Sequence, residues 1–195
     1  HRMIQTIDGL LPDTDYEIML VRANEASETV TFHTEPEPIT LNVRDFGAFG
    51  DGVHDDTSAI QAAILCCPKN ARVLIPKGTY PVTALFLKSD MILELQENAV
   101  LAGIYDRART PILPGQIEYD NEDGYYNLGS WEGNPIDSFA SMITGIHVKN
   151  VTICGKGVLD GRADFENWWS RPKDKIRAWR PRMIFLNHCE NITVV

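Results

Sequence analysis

Apolar residues recur at every second position near the start of the chain and at every third or fourth position further on, and this change of rhythm divides it. Tyr16, Ile18 and Leu20 alternate with Glu17 and Met19, and Val30 and Phe32 alternate with Thr29, Thr31 and His33. A period of two lays apolar side chains on one face of a strand, so residues 1–34 are expected to form strands around a polar turn at Asn24–Glu28. The run Glu35-Pro36-Glu37-Pro38 comes next. Its prolines fix φ in extended form and remove two amide donors, which keeps this run out of a helix or a central strand. It reads as a linker over residues 36–39, between a first domain at 1–35 and a second at 40–195.

Residues 45–57 read Asp-Phe-Gly-Ala-Phe-Gly-Asp-Gly-Val-His-Asp-Asp-Thr. Gly47, Gly50 and Gly52 offer positions where φ can be positive, and Phe46, Ala48 and Phe49 between them need a core to pack on. A helix is expected from Asp56 to Cys67. Ile60, Ala63, Ile64 and Cys67 line one of its faces, and Asp55 or Asp56 is placed to accept a bond from its first turn. Strand rhythm then returns in short pieces: Val73–Ile75, Val82, Leu85–Leu87, Met91–Leu95 and Ala99–Leu101. The gaps are too short for helical crossovers, and the turns Pro-Lys-Gly-Thr and Lys-Ser-Asp are not hairpin turns. A parallel coil fits. The segments Asp90–Gln96, Asn150–Gly155 and Asn191–Val195 each place a polar corner residue before an aliphatic run, as stacked coils require. The helix is expected to seal the top of this stack.

Two stretches interrupt the rhythm. Tyr105–Ser138 is rich in Asp, Glu, Asn, Gly, Pro and Tyr and carries Trp131-Glu132-Gly133-Asn134 near its end. Arg162–Pro181 carries Phe165, Trp168, Trp169 and Trp179 among Arg171, Lys173, Lys175, Arg177 and Arg180, with Arg182 just beyond. Long excursions of this kind in a compact domain carry function more often than not.

Composition narrows the classes. The 195 residues are 44% hydrophobic and 23% charged, ordinary for a globular protein, and the formal charge of −9 disfavours nucleic acid as a partner. No apolar run reaches the length of a membrane span. Cys66, Cys67, Cys154 and Cys189 lack metal-ligand spacing, and Cys66 and Cys67 are expected to pack as small apolar groups at the helix end. Asp51, Asp55 and Asp56 could be read as a calcium or acid/base cluster, but turn and cap roles are preferred. Asp160 likewise reads as a turn residue.

The stretch Asn42–Ala48 together with Asp56–Gln61 resembles the opening of pectin-degrading parallel β-helix proteins. Gly155-Lys156-Gly157-Val158-Leu159-Asp160-Gly161, with Trp131-Glu132-Gly133, Trp168-Trp169, Arg180-Pro181 and the strand Met183–Leu186, narrows the resemblance to the family 28 glycoside hydrolases, the polygalacturonases. Their exo-acting bacterial members, which carry a fibronectin-like front domain, are the nearest in pattern. Leu10–Tyr16 resembles the turn of a fibronectin type III domain, in which a Tyr that starts a strand bonds back to upstream backbone. The resemblance implies an all-β chain: part of a fibronectin type III-like sandwich, then the N-terminal coils of a right-handed parallel β-helix with a capping helix.

The resemblance also implies a chemistry, hydrolysis of α-1,4-linked galacturonic acid with inversion by Asp carboxylates and water, with no cofactor. The family's Asn-Thr-Asp, Asp-Asp, His-Gly and Arg-Ile-Lys motifs are absent, so no catalytic residue is expected within this chain and the chain alone is expected to be inactive. It reads as the N-terminal portion of a secreted or periplasmic enzyme, with the rest of the β-helix following Val195. Trp131, Trp168, Arg180 and Arg182 are the expected substrate-binding residues, because Arg can hold a uronate carboxylate by two parallel bonds and an indole can stack on a sugar ring. No metal site is expected. Polygalacturonate or a related pectic oligosaccharide is the expected partner, without nucleic acid or membrane. The competing classes are a non-catalytic tailspike- or adhesin-like binding module and a fragment that docks on a partner coil.

Overall fold

A computed structural model of the chain describes residues 7, 9–22, 25–118 and 125–195. The chain divides into two compact units, His1–Pro38 and Ile39–Val195, so the break falls directly after the second linker proline. The strands expected within residues 1–6 and the turn residue Asn24 lie outside the described residues.

In the first unit, β1 (Asp15–Arg22) pairs antiparallel with β2 (Glu25–His33), setting Tyr16 opposite Phe32 and Ile18 opposite Val30. The turn is shorter than Asn24–Glu28, because residues 25–28 pair back onto β1 and a register shift at Leu20/Val21 absorbs the irregularity. Tyr16 stacks on Phe32 at 5.8 Å, and its hydroxyl oxygen accepts the Leu11 N–H at 2.7 Å. His33 lies between two carboxylates, with Nδ1 2.8 Å from Asp15 and Nε2 3.0 Å from Asp13. Hydrogen bonds to Asp15 and then Asp13 push the imidazole pKa up, since only the doubly protonated ring can donate to both.

The second unit opens with β3 (Thr40–Asn42) and α1 (Thr57–Cys66) and then coils. The first coil is β4 (Ala71–Ile75), β5 (Gly78–Val82) and β6 (Leu85–Phe86). The second begins with β7 (Met91–Leu95) and β8 (Ala99–Gly103) and leaves on an excursion. That excursion carries six short strands, β9 to β14: Ile112–Leu113, Gln116–Glu118, Tyr125–Asn127, Ser130–Trp131, Asn134–Pro135 and Ser138–Phe139. It returns at β15 (Ile143–Ile146). The third coil is β16 (Lys149–Gly155), β17 (Val158–Asp160) and, after a second excursion, β18 (Ile184–Asn187); β19 (Glu190–Val194) follows. Stacking produces three parallel sheets, ordered β3-β4-β7-β16-β19, β5-β8-β17 and β6-β15-β18. The three segments singled out by their polar corners are neighbours in common direction, with Met91 beside Val151 and Val151 beside Ile192.

Like residues stack inward, coil on coil. Val73, Leu93 and Ile153 share one register and Leu85, Ile143 and Ile184 another, and all but the half-buried Ile184 are buried in one core. Full burial of each such side chain stabilises by roughly 1.5–3 kcal/mol relative to exposure. Asp90, Asn150 and Asn191 all hold φ between 53° and 59°, a left-handed turn that Asn and Asp tolerate. Their side chains form a ladder: Asn150 Nδ2 donates to Asp90 at 2.7 Å and Asn191 Nδ2 to Asn150 at 2.9 Å.

Helix α1 covers the top with Ile60, Ala63 and Ile64, and Cys67 is buried just beyond it. Cys66 faces solvent, which corrects the expectation that both cysteines pack inward; all four thiols are free. The two aspartates before the helix divide the work. Asp55 accepts the Thr57 N–H at 3.0 Å and serves the first turn. Asp56 makes no such cap bond; its buried carboxylate turns back to accept the amides of Phe49 at 2.7 Å and Gly50 at 3.0 Å. Gly47, Gly50 and Gly52 all hold positive φ.

Candidate functional site

Residues 104–142 leave the second coil between β8 and β15, and residues 161–183 leave the third coil between β17 and β18. Both departures occur at the same corner of successive coils, where the first coil has only the short link Thr83-Ala84 before β6. Stacking therefore brings the two excursions side by side, and backbone bonds join them. Phe139 N donates to Trp179 O at 2.8 Å and Trp179 N to Asp137 O at 2.7 Å. The Asp137 carboxylate accepts Gly115 N at 2.9 Å and faces Lys175 Nζ at 3.5 Å. The Gly115 amide, and then the Lys175 charge, hold its pKa below the usual carboxylate range. Arg109 of the first excursion pairs with Asp55 at the helix start.

Behind the corner lies a second small core of Phe139, Trp168 and Ala178. Arg107 organises it. Its guanidinium lies 4.7 Å from the Trp168 ring, 5.6 Å from Phe139 and 5.7 Å from Tyr105, and it donates to the carbonyls of Ile176 at 3.3 Å and Trp168 at 3.5 Å. Cation–π contact with three rings and bonds to two carbonyls tie one excursion to the other.

In front of that core is a cleft of about 320 Å³. Trp131 stands at its edge, 45% exposed, with its ring 5.0 Å from that of Trp179. Arg180 is sandwiched, 4.2 Å from the Trp169 ring and 4.6 Å from Trp179, while its Nη1 donates to Pro172 O at 2.7 Å. Arg182 Nη2 donates to Ser130 O at 3.0 Å, so each arginine is oriented by a carbonyl and keeps further donors for a ligand. Thr83, Ile104, Met142 and Met183 complete much of the lining, and among the described residues no carboxylate side chain contributes to it.

All four expected binding residues, Trp131, Trp168, Arg180 and Arg182, line this one cleft. Their situations differ. Trp168 is only 5% exposed and packs edge-on against Tyr105 at 5.2 Å, so it backs the cleft as a packing residue instead of offering a free stacking face. Trp169, Trp179 and Met183 join the site beyond the expected set. The tryptophans stand in the aromatic run already visible in sequence, whereas nothing in the local pattern marks Met183 or Arg107. Asp51 is committed to its own turn: it accepts the amides of Val53 at 2.9 Å and His54 at 3.0 Å. Asp160 caps its turn through Arg162 N at 3.0 Å. Among the described residues, no group of three or more His, Cys, Asp or Glu side chains is placed to hold a metal ion.

Comparison with known proteins fits this geometry. The family model described as rhamnogalacturonase A/epimerase, pectate lyase-like, matches residues 40–103. The exo-poly-alpha-D-galacturonosidase of Dickeya chrysanthemi is 35% identical over 184 residues, which is 89% of this chain and 29% of that protein. A family 28 exopolygalacturonase structure from Yersinia enterocolitica superposes with a TM-score of 0.74 at 29% identity, over 96% of this chain and 40% of that one. The hyperthermoactive exopolygalacturonase of Thermotoga maritima gives a TM-score of 0.57 at 30% identity, over 71% of this chain and 29% of its own. The chain thus spans less than a third of the length of the first of these relatives. These neighbours carry the right-handed parallel β-helix, and the coils described above are of that fold.

Proposed function

We propose that this chain, a homologue of the family 28 exopolygalacturonases, supplies the polyuronide-binding cleft of a pectin-degrading glycoside hydrolase that works outside the cytoplasm. One observation carries the reading: two arginines and three partly exposed indoles converge at the corner where both excursions leave the coil. Arg180 and Arg182 offer charge-assisted bonds to uronate carboxylates, and the Trp131 face offers a platform for a sugar ring. In a protein of net charge −9, this concentrates positive charge where a polyanion docks.

Inverting hydrolysis needs two carboxylates flanking the scissile bond with room for water between them. Among the described residues none lines the cleft, so binding is assigned to these residues and bond cleavage to carboxylates outside the described set.

The experiment is calorimetric titration of the chain with trigalacturonate and, as control, a neutral galactose trisaccharide. Binding of the acid alone is expected. Arg180→Ala or Trp131→Ala should weaken it about tenfold or more without moving the melting temperature, since a charge-assisted bond contributes about 1.5–3 kcal/mol. Equal binding of the neutral sugar, or no binding at all, would overturn the reading.

A further inference from the structure

At the corner where the third strand of one coil turns into the first strand of the next, His147 follows β15 and His188 follows β18. Parallel pairing puts the two in register. Ile146 stands beside Asn187 on one side of them and Lys149 beside Glu190 on the other, and His147 N donates to Asn187 O at 3.0 Å. Both histidines are exposed. Their ring centroids lie 5.3 Å apart, with the ring planes inclined at 58°.

Both residues hold left-handed backbone, with φ 53° at His147 and 49° at His188. Few residues other than Gly adopt that conformation, and Asn, Asp and His are the side chains found there most often. The same conformation at equivalent corners of successive coils gives the two Cα–Cβ bonds a common direction, so both imidazoles leave the corner on the same side.

The separation of the rings has a chemical meaning. Zinc takes an imidazole nitrogen at about 2.0–2.1 Å, which sets the ring centroid about 3.2 Å from the metal, so two rings bound at the tetrahedral angle have centroids about 5.2 Å apart. The observed 5.3 Å meets that requirement. Each imidazole has two ring nitrogens, and one can stay in a hydrogen bond, as in most metal-bound histidines, while the other takes the metal. Two residues further on, Lys149 Nζ pairs with Glu190 at 2.9 Å, so the lysine charge near the rings is compensated.

We propose that His147 and His188 form a two-imidazole site for a divalent transition-metal cation, zinc in the first instance, with water in the remaining positions, and that the bound cation clips the second coil to the third. Imidazole suits zinc, copper and nickel, whereas magnesium and calcium take oxygen ligands. The two histidines are far apart in the chain and meet only because the coils stack, so neither shows ligand spacing in the sequence. The proposal does not depend on the polyuronide reading.

The test is titration of the chain with zinc chloride at neutral pH, followed through the histidine ring signals in NMR, with magnesium chloride as control. Zinc is expected to move the His147 and His188 signals together and ahead of those of His33 and His54, whose rings are already held by aspartates. It should also raise the melting temperature, because a cation held by the native coils stabilises them. His188→Asn keeps a residue suited to the left-handed corner. It is expected to lower the zinc affinity read from the His147 signal about tenfold or more and to remove the rise in melting temperature. Zinc leaving both signals in place, unchanged affinity in His188→Asn, or an equal response to magnesium would overturn the proposal. The ring signals of the wild-type chain decide the matter even where the variant fails to fold.

Discussion

At the scale of single residues, Asp56 is buried with its carboxylate committed to the amides of Phe49 and Gly50, which ties the glycine-rich loop to the start of the helix. Asp56→Ala removes a charged acceptor and leaves two donors short. Denaturant unfolding should show a loss of about 3 kcal/mol, whereas Asp55→Ala, at a more exposed position, should cost about 1 kcal/mol. A result with the order reversed would show that the loop does not depend on Asp56. His33 makes a pH-dependent contribution in the first unit. Its folded pKa is raised by Asp15 and Asp13, so the stabilisation it gives is complete below the ordinary histidine pKa of 6.5 and is lost as pH rises through the folded value. NMR titration should place the His33 transition above 6.5, and Asp15→Asn should move it down.

Among elements, the ladder of Asp90, Asn150 and Asn191 and the column of Val73, Leu93 and Ile153 hold the coils in register. Leu93→Ala in the middle of that column should cost about 2–5 kcal/mol by unfolding in urea. Asn150→Ala puts a residue that tolerates the left-handed region less well than Asn at φ 53° and breaks two rungs of the ladder, and should cost about 2 kcal/mol. These elements were legible beforehand because a coil repeats: a polar corner before an aliphatic run recurs at Asp90, Asn150 and Asn191 and needs no knowledge of partners. The helix was legible for the same reason, through the spacing of Ile60, Ala63 and Ile64. The excursions repeat nothing. Arg107 meets Trp168 and Ile176 across more than sixty residues of chain, and Met183 occupies the space over Gly161, contacts that leave no period in the sequence. Chemistry alone pointed to Trp131, Arg180 and Arg182, and it could not separate the buried Trp168 from its exposed neighbour Trp169.

For the second unit as a whole, the coils act as a scaffold, and the corner between β8 and β15, and between β17 and β18, is where both excursions leave it. Asp137 fastens the two excursions together there. Its folded pKa is lowered by Gly115 and Lys175, so its stabilisation is present above the ordinary carboxylate pKa and is lost as pH falls through the depressed value. Near-ultraviolet circular dichroism of the tryptophans should therefore weaken only in acid, while the far-ultraviolet signal of the coils persists; Asp137→Asn should weaken it already at neutral pH. The most direct measurement on the cleft is hydrogen–deuterium exchange with and without saturating trigalacturonate. Protection is expected in the peptides covering residues 129–142 and 161–183, with α1 and the five-stranded sheet unchanged. Protection centred on the helix or on that sheet, or no protection anywhere, would contradict a uronide site at the corner of the coils.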